Sequence, residues 1–128
     1  MKLYSFSDTI NNPACITGFT FIHFYTGFLF YIILKYLYPK LSFLFLFSLW
    51  FILHTLYEIK DLMAYFEFIK YKTYWSDNSI ENSIFDTIAT MLGLYIGYII
   101  KYKSVSFLVL NIFIYLILLL IFYINKFE

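Results

Sequence analysis

The stretch VSFLVLNIFIYLILLLIFYI, Val105 to Ile124, decides the fold. It carries no charge, and Asn111 is its only strongly polar residue. A helix in a soluble bundle is apolar along one stripe and polar opposite; this one is apolar on every face, so its solvent is lipid. Twenty residues at ~1.5 Å each match a hydrocarbon core of ~30 Å. Helices also satisfy their backbone groups internally, which lipid demands and an open sheet cannot offer.

Working outward, the same pattern recurs three times. Tyr102 between Lys101 and Lys103 forms a turn, and before it residues 84–100 make a third span. Residues 18–38 form the first, broken by Pro39 and Lys40, and residues 41–59 form the second with almost no linker, which calls for a tight antiparallel hairpin. Residues 60–81 mix Lys60, Asp61, Glu67, Lys70, Lys72, Asp77 and Glu81 with Tyr and Trp, and read as a helical extension and interfacial segment. The expected fold class is all-α, a polytopic membrane bundle of about four transmembrane helices in one domain. Residues 1–17 lack the apolar core of a cleavable signal, so the first span is expected to do the targeting.

Composition agrees. Of 128 residues 62% are hydrophobic and 13% charged, a balance foreign to soluble domains. Aromatic residues reach 26% and all the basic residues are lysine, which fits an AT-rich coding genome as well as the liking of Tyr and Trp for membrane interfaces. A net charge of +1 offers no basic patch for nucleic acid, so the expected partners are the lipid bilayer and other membrane subunits. The lone Cys15 excludes an intrachain disulfide. Lysines divide five to four between the two sides of a four-span chain, which sets no orientation.

An antiparallel path places the start of span one, the end of span two and the start of span three in one leaflet. The ionisable residues fall there: His23, then His54, Glu58 and Asp61, then Asn82 and Asp86. His54, Glu58 and Asp61 stand at i, i+4 and i+7 on one helical face, and Asn82, Asp86 and Thr90 repeat the device. Their stripe continues through Gly93 and Gly97, small residues that admit a neighbouring helix, with Gly27 offering span one a similar point of contact. Asn111 is expected to bridge helices as a hydrogen-bond donor. Two imidazoles and three carboxylates suit zinc, manganese or iron, but no spacing matches a recognised ligand motif, so no metal ligand is assigned. A His–carboxylate pair that accepts a proton from a lipid headgroup or small polar substrate ranks above metal. Nucleophile-elbow and phosphate-loop motifs are absent, and no cofactor is named by the sequence.

The run His23-Phe-Tyr-Thr-Gly27-Phe-Leu-Phe-Tyr31, then Tyr57-Glu58, then Trp75-Ser-Asp77-Asn-Ser79-Ile-Glu-Asn82-Ser83-Ile-Phe-Asp86 with Leu92-Gly93, resembles a small family of uncharacterised multi-spanning membrane proteins. That family occurs in bacterial inner membranes and has relatives in large DNA viruses. The resemblance covers residues 20–97 and implies importance for His23, Gly27, Glu58, Asp77, Ser79, Asn82, Ser83 and Asp86. Tyr57 stands where the family usually has Trp, Asp61 where it has Asn or a similar polar residue, and Asn78 is additional. A looser similarity is to VanZ-like membrane proteins. The resemblance implies a helical fold and no established reaction.

Three functions fit: a one-leaflet polar pocket that binds or processes a lipid headgroup or small polar ligand; a structural or assembly subunit of a larger membrane complex, such as an organelle-encoded respiratory complex; and a proton or ion pathway. The last needs polar groups through the whole thickness and ranks lowest. Bacterial inner, viral and mitochondrial inner membranes all suit the composition.

Overall fold

A computed structural model describes residues 2–4, 14–65, 80–100 and 104–127. Two short strands, β1 (Lys2–Tyr4) and β2 (Ala14–Ile16), pair in parallel and lead into four helices: α1 (Gly18–Leu37), α2 (Phe43–Tyr65), α3 (Ile80–Ile100) and α4 (Val105–Phe127). All four helices are long and apolar enough to cross a membrane. The chain is an all-α bundle of the multi-pass membrane type.

Local chemistry sets the helix ends. The Thr17 N–H donates to Thr20 Oγ1 (3.0 Å), closing the first turn of α1. At its other end the Tyr38 N–H returns to the Leu34 carbonyl (2.7 Å), Pro39 follows, and Lys35 Nζ donates to the Leu41 carbonyl (2.5 Å). α2 begins at Phe43 rather than residue 41 because Ser42 is its cap, with Oγ accepting from the Phe45 N–H at 3.1 Å. It runs past Ile59 to Tyr65, so Asp61 lies inside the helix. α3 starts at Ile80, four residues before the expected boundary, with Glu81 in its first turn, where a negative charge meets the positive end of the helix dipole. The rest of the interfacial segment, including Glu67, Lys70, Lys72, Trp75, Asp77 and Ser79, lies outside the described residues, as does the turn at 101–103.

α1 and α2 are antiparallel, yet their backbones meet at few points. The main packing is between α1 and α3, which run parallel, with α2 against α3 and α4 against α1. Small residues decide this arrangement. A Cβ on Gly27 would collide with the Thr90 carbonyl, and one on Gly93 with the Phe24 carbonyl. The stripe Asn82, Asp86, Thr90, Gly93 and Gly97 is buried along its length. A larger side chain at Gly27 or Gly93 would hold the two backbones apart, as at other close helix contacts in lipid.

α4 meets the bundle through a polar seam. Tyr25 Oη donates to Asn111 Oδ1 (2.5 Å), and Thr26 Oγ1 shares a hydrogen bond with Tyr115 Oη (2.8 Å). Asn111 was expected to donate across the helices. It accepts there instead, because its Nδ2 is turned back to the Phe107 carbonyl of its own helix (2.8 Å). The remaining faces of α4 expose Val109, Leu110, Phe113, Leu116 and Leu120, as a lipid-facing helix does.

Replacing Gly93 by Ala should overpack the α1–α3 contact and cost about 1–3 kcal/mol. Gly97→Ala should cost less, because its Cβ would stand 3.2 Å from the nearest atom, the Phe28 carbonyl oxygen. Thermal unfolding of both variants in detergent checks the order, and equal losses would contradict the proposed contact.

Candidate functional site

The parallel alignment of α1 with α3, and the return of α2 beside both, gathers the start of α1, the end of α2 and the start of α3 into one layer. His54 and Glu58 are each 4% exposed, and Asp61 and Asp86 are fully buried. In an apolar medium an ionised carboxylate costs several kcal/mol unless partnered, so each position demands a neighbour that compensates it.

Four of the six candidate residues converge. His23 Nδ1 lies 2.9 Å from His54 Nε2, and the two rings stand nearly perpendicular. His54 Nε2 lies 3.4 Å from Glu58 Oε1 within the same helix, as i, i+4 spacing allows. The other nitrogen of His23, Nε2, stands 3.5 Å from Asp86 Oδ2 on α3 and 4.0 Å from Glu58 Oε1. Three helices thus each supply at least one group to a single cluster. One ligand-capable atom from each of His23, His54 and Glu58 falls within 4.8 Å of the others.

The remaining two candidates share the layer but face other partners. Asp61 Oδ1 is 3.0 Å from Lys60 Nζ, and that ammonium also sits over the Tyr57 ring, 4.2 Å from its centre. Asn82 Nδ2 donates to the Cys15 carbonyl (3.1 Å), tying the segment before α1 to the start of α3. Asn82 is therefore placed to hold the entry segment over the cluster.

Three further residues complete the surroundings. Thr20 Oγ1 donates to Asp86 Oδ1 (2.5 Å) while accepting from the Thr17 N–H, so the cap of α1 doubles as a clamp on the buried carboxylate. Thr87 Oγ1 lies 3.4 Å from His54 Nδ1 and donates to the Ser83 carbonyl (2.8 Å). Trp50 Nε1 donates to Thr90 Oγ1 (2.9 Å), one turn below His54 on α2. The signal for two of them was present: Thr20 precedes His23 by three residues and Trp50 precedes His54 by four, so each shares a face with a residue already selected.

Beside the polar layer lies an apolar groove of about 560 Å³ between α2 and α3. Phe43, Phe47 and Phe51 line one wall and Ile88, Met91, Leu92 and Tyr95 the other. Thr87 belongs to both features, lining the groove and touching His54.

Compared with protein-family models, curated proteins and solved structures, the chain finds no match.

Thr20→Val removes the hydroxyl that Asp86 accepts from and should destabilise the bundle by about 1–3 kcal/mol, the worth of a hydrogen bond to a charged group. Thr20→Ser should restore most of it. Chemical unfolding in detergent reads the difference, and a Val variant as stable as the parent would remove Thr20 from this role.

Proposed function

We propose that this chain is a small multi-pass membrane protein whose one-leaflet polar site, built on His23, His54, Glu58 and Asp86, binds a lipid by its headgroup. The observation that carries this reading is the position of Thr87. It joins the polar cluster to an apolar groove that runs down the α2–α3 face, so one molecule with a polar head and an acyl chain meets complementary surfaces at both ends. A small polar ligand without a chain would use the cluster and leave the groove to bulk lipid. The resemblance to uncharacterised multi-spanning proteins of bacterial inner membranes falls on the same residues, His23, Glu58 and Asp86, and supports a bacterial-type inner membrane or its viral counterpart as the setting.

Chemistry at the site follows from its groups. A neutral imidazole beside a carboxylate accepts and passes on a proton, and His23 has both Asp86 and Glu58 within 4.0 Å. The His23 side chain retains 16% of its exposure, so it is the member of the cluster that an incoming headgroup meets first. Glu58 and Asp86 lie deeper and set the charge.

The second reading, a structural subunit, draws on the wide apolar surfaces of α2 and α4, which another membrane protein could cover as readily as lipid. Native mass spectrometry of gently extracted protein separates the two. With a lipid-binding site, a defined lipid should accompany the chain stoichiometrically, and Glu58→Gln or Asp86→Asn should release it while helical content and monodispersity persist. Recovery only within a fixed multi-subunit assembly, with no retained lipid, would overturn the lipid site in favour of the subunit.

A further inference from the structure

We propose that His23, His54 and Glu58 bind a divalent transition-metal ion of the zinc class, with Asp86 positioning the His23 ring. The proposal rests on the same cluster as the lipid-site reading and specifies its chemistry.

The argument starts from hydrogens. A neutral imidazole has one N–H and one lone pair, and the neighbour of each nitrogen decides which is which. The outer nitrogen of His23, Nε2, stands 3.5 Å from Asp86 Oδ2, which favours a hydrogen there. The outer nitrogen of His54, Nδ1, faces Thr87 Oγ1, whose own hydrogen is committed to the Ser83 carbonyl, which favours a hydrogen there as well; the competing tautomer puts it on Nε2, 3.4 Å from Glu58 Oε1. In the tautomer with both outer nitrogens protonated, the inner ones, His23 Nδ1 and His54 Nε2, are lone pairs facing each other across 2.9 Å. Between two lone pairs this distance is repulsive. A cation shared by both turns it into two bonds, and Glu58 Oε1, 3.4 Å from His54 Nε2, supplies a negative third ligand.

The distances suit such an ion. Ligand atoms held at ~2.0–2.1 Å in a tetrahedron stand roughly 3.3 Å apart; the His23–His54 and His54–Glu58 separations fall on either side of that value, and one ligand-capable atom of each residue lies within 4.8 Å of the others. The outer shell is also of the kind metal sites use. A ligating histidine almost always gives its second N–H to a carboxylate, carbonyl or hydroxyl, which fixes its ring. Asp86 Oδ2 stands 3.5 Å from His23 Nε2 and its carboxylate is held by Thr20; Thr87 Oγ1 stands 3.4 Å from His54 Nδ1 and is held by Ser83. Two imidazoles and one carboxylate leave a fourth position open, where an oxygen of a headgroup or water can bind, and His23 is the most exposed of the three ligands. The sequence ranks metal below an acid–base pair because no spacing matches a ligand motif; His23 and His54 lie 31 residues apart on two helices, and only the fold brings them together.

The test uses the full chain in detergent, stripped with a chelator and reloaded with Zn²⁺ or Co²⁺. Elemental analysis after gel filtration should find about one zinc per chain, and the cobalt form should show the intense visible absorption of a tetrahedral site. Glu58→Gln and His54→Gln should lose both. Asp86→Asn keeps all three ligands and should retain the ion with ~10–100-fold weaker affinity, whereas Glu81→Gln on the exposed face should change nothing. Zinc content in the parent no higher than in His54→Gln, or cobalt bound without the tetrahedral spectrum, overturns the proposal. If the Gln variants do not fold, the parent's cobalt spectrum and the Asp86→Asn affinity decide it. Lipid retained by metal-free parent protein that cannot be reloaded refutes the metal and leaves the lipid site standing; metal bound without lipid does the opposite.

Discussion

The close contact of α1 with α3 at Gly27 and Gly93 is the constraint on which the rest depends. Because neither residue has a Cβ, the Phe24 and Thr90 carbonyls come right up to the opposite helix, and the two helices lie parallel along the stripe from Asn82 to Gly97. In lipid no hydrophobic force draws apolar helices together, so packing this close, with its dispersion contacts, is what association relies on. That alignment also sets the chemistry. It carries Asp86 to Thr20 and His23, and it leaves α3 a second face for α2 to bring Trp50 and His54 against Thr90 and Thr87.

Buried charge is the second constraint, and it follows from the first. Once the helices meet this closely, Asp86 has no exposure to water, and a carboxylate there is tolerable only with donors around it. The bundle answers with short local devices: a capping threonine shared with the carboxylate and a histidine on the next turn. Neither requires a long or flexible side chain. Such a network fixes its members' rotamers, and fixed rotamers are also what a binding site needs.

Much of this was legible before any coordinates. The uniform apolarity of residues 105–124 gave the class of the fold, and the i, i+4 spacing of His54 with Glu58 and of Asn82 with Asp86 selected most of the cluster. What spacing leaves out is which helices touch. A short loop makes α1 and α2 neighbours in sequence, but glycines make α1 and α3 neighbours in space, and the pattern of small residues signals close packing without naming the partner. Asn82 and Asp61 show the same limit: depth placed them in the right layer, while the atoms they bond, the Cys15 carbonyl and Lys60 Nζ, depend on the entry segment and on side-chain direction. The helix ends moved for a local reason, since Ser42 and Glu81 are terminus signals that a count of apolar residues does not weigh.

The one-sidedness of the polar groups bears on the kind of function the bundle can support. Beyond Trp50 and Thr90 the space between the helices is filled by Phe28, Leu29, Ile32, Leu46 and Leu94, with Tyr31, Phe43 and Tyr98 packed ring against ring at the far end. A conduction path needs successive polar stations through the whole thickness, and among the described residues an apolar, close-packed plug stands in their place. A site that binds from one leaflet gains from such a plug. In the proposed site His23 is the member a polar ligand meets first, the buried carboxylates lie behind it in a medium of low dielectric, and there the same charges act more strongly than they would in water.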